Sequence, residues 1–202
     1  MMVGVDWDGI EREVELIYRC AGRDASLGAP TLEIAQAVLG ARSVVFVSPD
    51  WLPAAGALVR VGSERRIYVR RGLPANRLAF VLGHETAHYV LGPDASEDLC
   101  DHLAGALIAP RAAYLRALSG KFSPTRIAKR FGMDQSFVWL RKGEVTAEPV
   151  ALVAPYRVRT RGAAYSWPAE PALRELAKAH HLPGLRKAVL RDDTERVVLC
   201  VA

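Results

Sequence analysis

Residues 81–92 read VLGHETAHYVLG and place His84, Glu85 and His88 in an H-E-x-x-H arrangement. Two residues four apart on a helix project from one face, so both imidazoles can reach a single metal ion. Glu85 stands one residue round the helix from His84, where it can touch a metal-bound water without being a ligand. Zinc lowers the pKa of such a water toward neutrality. A carboxylate at hydrogen-bond distance can then take its proton and pass it to a leaving amine. His84 and His88 are therefore the expected zinc ligands, and Glu85 is the expected catalytic base.

The flanks predict one helix from Asn76 to Leu91, with Pro74 near its start and Gly92-Pro93 as its stop signal. Phe80, Val81, Leu82, Val90 and Leu91 on both sides of the histidines predict burial. Two buried histidines one turn apart without a metal would leave four ring nitrogens in need of partners, so a metal accounts better for the pair. A catalytic zinc takes a third protein ligand and keeps one position open. Residues 94–110, DASEDLCDHLAGALIAP, predict a second helix, capped by Asp94 or Ser96 and burying Leu99, Leu103, Ala106 and Leu107. Glu97 and Asp101 share a face of it. Glu97 is the expected third ligand, and Asp101 the acceptor that orients a ligand histidine through its other ring nitrogen. Asp98, Asp101 and His102 are the alternative ligands. Cys100 is read as a small buried apolar side chain in preference to a thiolate that silences the zinc. Leu91 and Asp94 stand where an extended metzincin motif would need Gly and His, which excludes that class.

The run RRIYVRRGLPANRLAFVLGHETAHYVLG (65–92), followed by E-x-x-C-D-x-x-A-x-A-L-I-A-P (97–110), resembles the ImmA/IrrE-type metallopeptidases of bacteria and their mobile elements. The resemblance covers Arg66 to Pro110 strongly, extends to about Gly143, and fades elsewhere. It implies an α+β, zincin-like metallopeptidase domain of the HExxH…E (gluzincin-like) kind. In it His84, His88 and Glu97 hold Zn2+, Glu85 is the base, and Asp101 falls where the family has Asn or Asp. It also implies a role in stress response or transcription regulation: a zinc endopeptidase cutting a cytoplasmic regulator, typically a helix-turn-helix repressor. The rival expectation is a catalytically silent, zinc-containing DNA- or protein-binding regulator. Two features depart from the family pattern. The link from His88 to Glu97 is short, which puts Glu97 in the first turn of its helix, and Ala109 replaces a common Met before Pro110.

The strand preceding the metal helix, Ile67-Tyr68-Val69, is the expected substrate edge, since an open strand can pair with an extended peptide backbone. The same residues are also compatible with ordinary sheet. It is the second strand of an expected hairpin (57–61 and 66–70) around Gly62-Ser63-Glu64. Upstream, Trp7–Cys20 predicts an amphipathic helix, Thr31–Leu39 a short helix, and Ser43–Val47 a strand.

Beyond Pro110 the pattern predicts a helix over 112–118. A helix-turn-helix-like unit follows, with Gly132 at its turn and Ile127, Ala128, Phe131, Phe137, Val138 and Leu140 apolar. Residues 121–161 hold nine basic and three acidic side chains, against a formal net charge of +5 for all 202 residues. DNA contact by Arg141, Lys142 and the Arg157-Arg159-Arg161 alternation is one account of that excess. A packing unit with a solvated basic face is the account we favour. The remainder predicts a small α+β lobe. Its parts are strands over 150–154 and 156–160, a helix over 171–179, and a hairpin (186–191, 196–201) turning at Asp192-Asp193. His180 and His181, being adjacent, make a poor metal pair. The expected organisation is thus a metallopeptidase-like domain (1–120), a helical segment (121–148) and a C-terminal lobe (149–202). Apolar residues make up 50% of the chain, enough for a core, and no run has the length of a membrane span. The acidic start MMVGVDWDGIEREVEL lacks the pattern of a secretory signal, and three scattered cysteines make no disulfide framework. A cytoplasmic location with no membrane partner is the expectation.

Overall fold

The computed structural model describes residues 6–92, 94–154, 158–162, 167–178, 185–189 and 196–201. They form a mixed α+β structure with eight helices and two small sheets among the described residues. The chain divides into two compact units. One runs to Phe122 and takes in Lys129–Met133; the other holds Ser123–Ala128 and the residues from Asp134 onward. No helix among the described residues is long and apolar enough to cross a membrane.

The first unit begins with α1 (Trp7–Cys20), α2 (Thr31–Leu39) and the strands β1 (Val44–Val47), β2 (Gly56–Val61) and β3 (Glu64–Arg70). It continues with α3 (Ala75–Leu91), α4 (Glu97–Ile108) and α5 (Arg111–Ser119). Ile67 and Val69 of β3 pack on Val81 and Leu82 of α3 and Ala35 of α2. The opposite side of α3 presents Ala87 to a second cluster, built from Ile10, Val14, Ile17 and Tyr18 of α1 and Cys100, Leu103, Ala106 and Leu107 of α4. The helix with the two histidines is thus held between a sheet and a helical layer. Tyr18 fastens that layer. Its hydroxyl donates to the Leu107 carbonyl (2.8 Å) and accepts from the Ala29 N–H (3.2 Å). Leu107 lies in the last turn of α4, where backbone acceptors lack intrahelical donors. Burial pushes the Tyr18 hydroxyl up to about 12, so it stays a donor across the physiological range.

The sheet corrects one expectation. Its order is β1-β3-β2, with β3 parallel to β1 and antiparallel to β2. Ile67, Tyr68 and Val69 are therefore in the central strand and present no edge to a substrate. The hairpin pairs β3 with β2 on one side, and the short apolar strand Val44–Val47 takes the other. β2 is the strand whose outer edge lies beside α3. The N–H of Arg70 donates to the Ala55 carbonyl (3.0 Å), which makes 55, 57 and 59 the positions bonded to β3. Gly56 and Leu58 accordingly turn their N–H and C=O groups outward.

The second unit carries α7 (Gln135–Thr146), β4 (Val150–Val153), β5 (Val158–Arg161), α8 (Glu170–Lys178), β6 (Leu185–Val189) and β7 (Val197–Val201). Its sheet has the order β5-β4-β7-β6, with every neighbour antiparallel. Leu140 of α7 packs with Val150, Leu152, Val198 and Cys200 on one face, and Leu173 and Ala177 of α8 with Ala151, Val153 and Leu199 on the other. The short helix α6 (Pro124–Phe131) precedes Gly132, whose φ of +62° makes the turn, and Asp134 then caps α7. The expected turn at Asp192-Asp193 and the pair His180-His181 lie outside the described residues.

Helices α3 and α4 cross where Gly83 meets Ala104. A Cβ on Gly83 would stand 3.2–3.3 Å from the Cα, Cβ and oxygen of Ala104, closer than nearly all real contacts. Gly83→Val should therefore force the helices apart and destabilise the protein by about 1–3 kcal/mol, the usual range for overpacking. Urea unfolding should show a lower midpoint at unchanged m. A midpoint at or above that of the parent would show that the crossing tolerates separation.

Candidate metal centre

Helix α3 carries His84 and His88 on one face, and α4 begins at Glu97 directly opposite. The N-cap of α4 is Ser96, whose hydroxyl accepts from the Leu99 N–H, so the short link places Glu97 at the first helical position. The Nε2 atoms of His84 and His88 are 3.2 Å apart. One oxygen of Glu97 lies 3.1 Å from the first and the other 3.3 Å from the second. These three side chains form a cluster able to hold a metal ion, with a ligand atom from each inside 4.8 Å.

The far sides of the rings are also occupied. Nδ1 of His84 lies 3.0 Å from Asp101 Oδ1, and Nδ1 of His88 lies 3.4 Å from Cys100 Sγ. Asp101 as a carboxylate only accepts, which fixes the proton of His84 on Nδ1 and leaves a lone pair on Nε2. The His88–Cys100 contact can run either way; if Nδ1–H donates to the sulfur, the centre contains two imidazole lone pairs and a carboxylate. In that tautomer three acceptors face one another, an arrangement that a proton or a cation would satisfy. A tetrahedral ion with bonds of about 2.0–2.2 Å has ligand-to-ligand edges of about 3.3–3.6 Å. The edge between the two histidines, 3.2 Å, is close to this, whereas each Glu97 oxygen faces a different nitrogen, so one oxygen reaches both only after the carboxylate turns. The charge of the site points the same way: the hydrogen bond to Asp101 raises His84 above its ordinary 6.5, against burial and with help from the Asp101, Glu85 and Glu97 charges.

Glu85 is half-buried beside this cluster, and burial holds its carboxyl above the usual range against the pull of His84 and of the Leu58 N–H, which it accepts. It opens on a cleft of about 260 Å³ that it lines with His84, Ala55, Gly56, Arg77 and Phe80. A Cβ on Gly56 would collide with Val81 Cγ1 and stand 3.5 Å from Glu85 Cγ, so the β2 edge approaches Glu85 only as glycine. Gly56, Leu58 and Arg77 were not among the residues expected from the sequence. A glycine at the start of a strand was the available signal for close approach, and Arg77 stands two turns before His84 on one face. The alternatives for third ligand fall elsewhere: Asp101 contacts Nδ1, and His102, packed edge-on against Trp7, pairs with Asp98 at 3.3 Å. Cys100 meets the outer nitrogen of His88, and burial pushes its thiol up to about 11.

Three cations of the basic segment have partners within the second unit. Arg141 is 1% exposed and pairs with Glu144 at 3.1 Å, and Glu144 also takes Arg161 at 3.2 Å. Lys142 pairs with Glu148 at 2.6 Å. These three cations, grouped as a DNA-contacting surface, are engaged inside their own unit, because the face of α7 that carries Arg141 packs inward. Arg157 lies outside the described residues.

Fold and site together define a mixed α+β protein with a candidate metal centre of two histidines and one glutamate. No family model and no curated protein matches the chain. The chain is similar in structure to a solved Mycobacterium tuberculosis transcriptional regulator, with a TM-score of 0.61 and 14% identity over 96% of this chain and 76% of that one. At that identity the likeness concerns the fold alone.

The Asp101 contact predicts a measurable titration. In chelator-treated protein, His84 should titrate above 6.5. Its raised value means that the stability it contributes is complete below the unfolded pKa of about 6.5 and is lost as pH rises through the folded value. Asp101→Asn should bring the His84 titration down, as followed by imidazole NMR. No movement in that variant would remove Asp101 as the cause.

Proposed function

We propose that the first unit is a zinc-dependent endopeptidase of the ImmA/IrrE type, with a zincin-like fold, acting on a protein regulator such as a helix-turn-helix repressor. The observation that carries this reading is the convergence of His84 Nε2, His88 Nε2 and the Glu97 carboxylate within 3.1–3.3 Å, with Glu85 beside them on an open cleft. A zinc ion held by these three residues supplies Lewis acidity to the attacking water and to the scissile carbonyl. Glu85 takes the proton of that water and returns it to the leaving amine. Its raised pKa brings it closer to the value at which both transfers are favourable. Asp101 holds the His84 ring in the tautomer and orientation for ligation. The outward groups of Gly56 and Leu58 on β2 offer a backbone edge for an extended substrate, the role first expected of β3. Engaging Leu58 requires Glu85 to leave its N–H, which releases the carboxylate for the water.

The alternative, a regulator with a silent zinc site, draws on the likeness to a solved transcriptional regulator. Against it, neither Cys100 nor His102 is placed to close a fourth coordination position, since Cys100 contacts the outer nitrogen of His88 and His102 faces Asp98.

Purified protein should carry one zinc per chain. His84→Ala and His88→Ala should lose it, and Glu85→Gln should retain it. The glutamine keeps the shape but accepts no proton, so cleavage of a repressor encoded beside this chain should stop while its capture in a pull-down persists. Metal analysis with a co-expression gel reads both. Zinc loss in Glu85→Gln would remove the ligand assignment, and wild-type binding without cleavage would establish the regulator.

A further inference from the structure

The first unit contains a cavity of about 580 Å³ behind the metal helix, inside the range of small-molecule sites. Its wall is apolar: Leu32, Leu78, Leu82, Ile108 and Phe131 line it. Its polar part is small and of one sign. Lys129 and Arg130 stand at the cavity, and neither forms an ion pair with another described residue. Thr31 lines it too. That residue is only 6% exposed, yet its hydroxyl has no hydrogen-bond partner among the described residues. A hydroxyl without a protein partner can donate to a ligand group that accepts from it. Helices α2 and α3 also start at this wall with Thr31 and Ala75, and neither has a side-chain cap. Their positive ends add to the preference for an anion.

We propose that this cavity binds a medium-chain monocarboxylate, about six to ten carbons long in keeping with a site of this size. The tail lies among the leucines and Phe131, and the carboxylate lies between Lys129, Arg130 and the Thr31 hydroxyl. The choice of occupant follows from the proportions of the site. Two cations and a hydroxyl on the lining of an apolar chamber suit a single charge with a hydrocarbon body, whereas a nucleotide or a sugar phosphate would leave most of its polar groups against leucine. The site is separate from the metal centre, and its occupancy is independent of any peptidase activity.

Calorimetric titration of the full chain with hexanoate, octanoate and decanoate tests this. Saturable one-to-one binding is expected, tightening about threefold or more per added methylene. Lys129→Gln combined with Arg130→Gln, both exposed positions, should weaken octanoate at least about tenfold, as befits loss of charge-assisted hydrogen bonds. Octanol should bind weakly and equally to the parent and to this variant. Ala75→Phe, at an exposed position of the rim, should block both ligands. The proposal is overturned by absence of saturable binding to all three acids at ~10 mM, a level that detects millimolar affinity. It is equally overturned if octylamine binds as well as octanoate, or if the double variant binds octanoate like the parent.

Discussion

The contact between Gly83 and Ala104 sets the geometry on which the centre depends. With no side chain at 83, α3 approaches α4 so closely that an added Cβ would stand 3.2 Å from the Ala104 Cα. At that separation a first-turn glutamate can span two histidines of the facing helix, one oxygen to each. One turn further along α4, Asp101 reaches the other side of the same His84 ring. Two residues four apart on one helix thus grip a single imidazole from both nitrogens. Any larger residue at 83 moves both grips together, so ligand geometry and ring orientation are coupled through one glycine.

The electrostatics follow from that enclosure. The upward shift of His84 comes first from its hydrogen bond to Asp101, against burial, with the charges of Asp101, Glu85 and Glu97 adding to it. Glu85 shows the complementary effect, since burial holds its carboxyl above the usual range. Cys100, as a neutral thiol, supplies a soft contact to His88 without adding a fourth charge to the cluster.

The local elements were legible in the sequence. The expected helices over 7–20 and 31–39 have those bounds, and the expected helix over 76–91 gains only Ala75. Helical spacing also singled out Glu97 and Asp101, because residues four apart must share a face whatever else the fold does. The order of strands in a sheet is a different matter. The alternation in Ile67-Tyr68-Val69 reports which side is buried, and both Ile67 and Val69 are fully so, but the same pattern serves a central or an edge strand. Which neighbour fills the second side is decided by Val44–Val47, a segment more than twenty residues away in sequence. Arg141 was hidden for a related reason: a guanidinium reads as surface until its partners are known, and Arg141 and Arg161 share Glu144 only once β5 has folded back beside α7.

Placing β3 in the centre changes how the cleft is built, and it brings the sheet and the helix into one device. The outer strand is β2, and its glycine is required by Val81, which stands in the same turn of α3 as His84. That single approach brings the outward backbone groups of 56 and 58 beside Glu85, whose carboxylate already accepts the Leu58 N–H. The backbone edge and the acid are therefore positioned by the same contact. An extended chain laid on β2 would compete directly with Glu85 for Leu58, so occupation of the edge and release of the carboxylate are one event in this geometry. Gly56 on the sheet and Gly83 on the helix do corresponding work: each removes a side chain so that a polar group on the neighbouring element can reach the histidine helix.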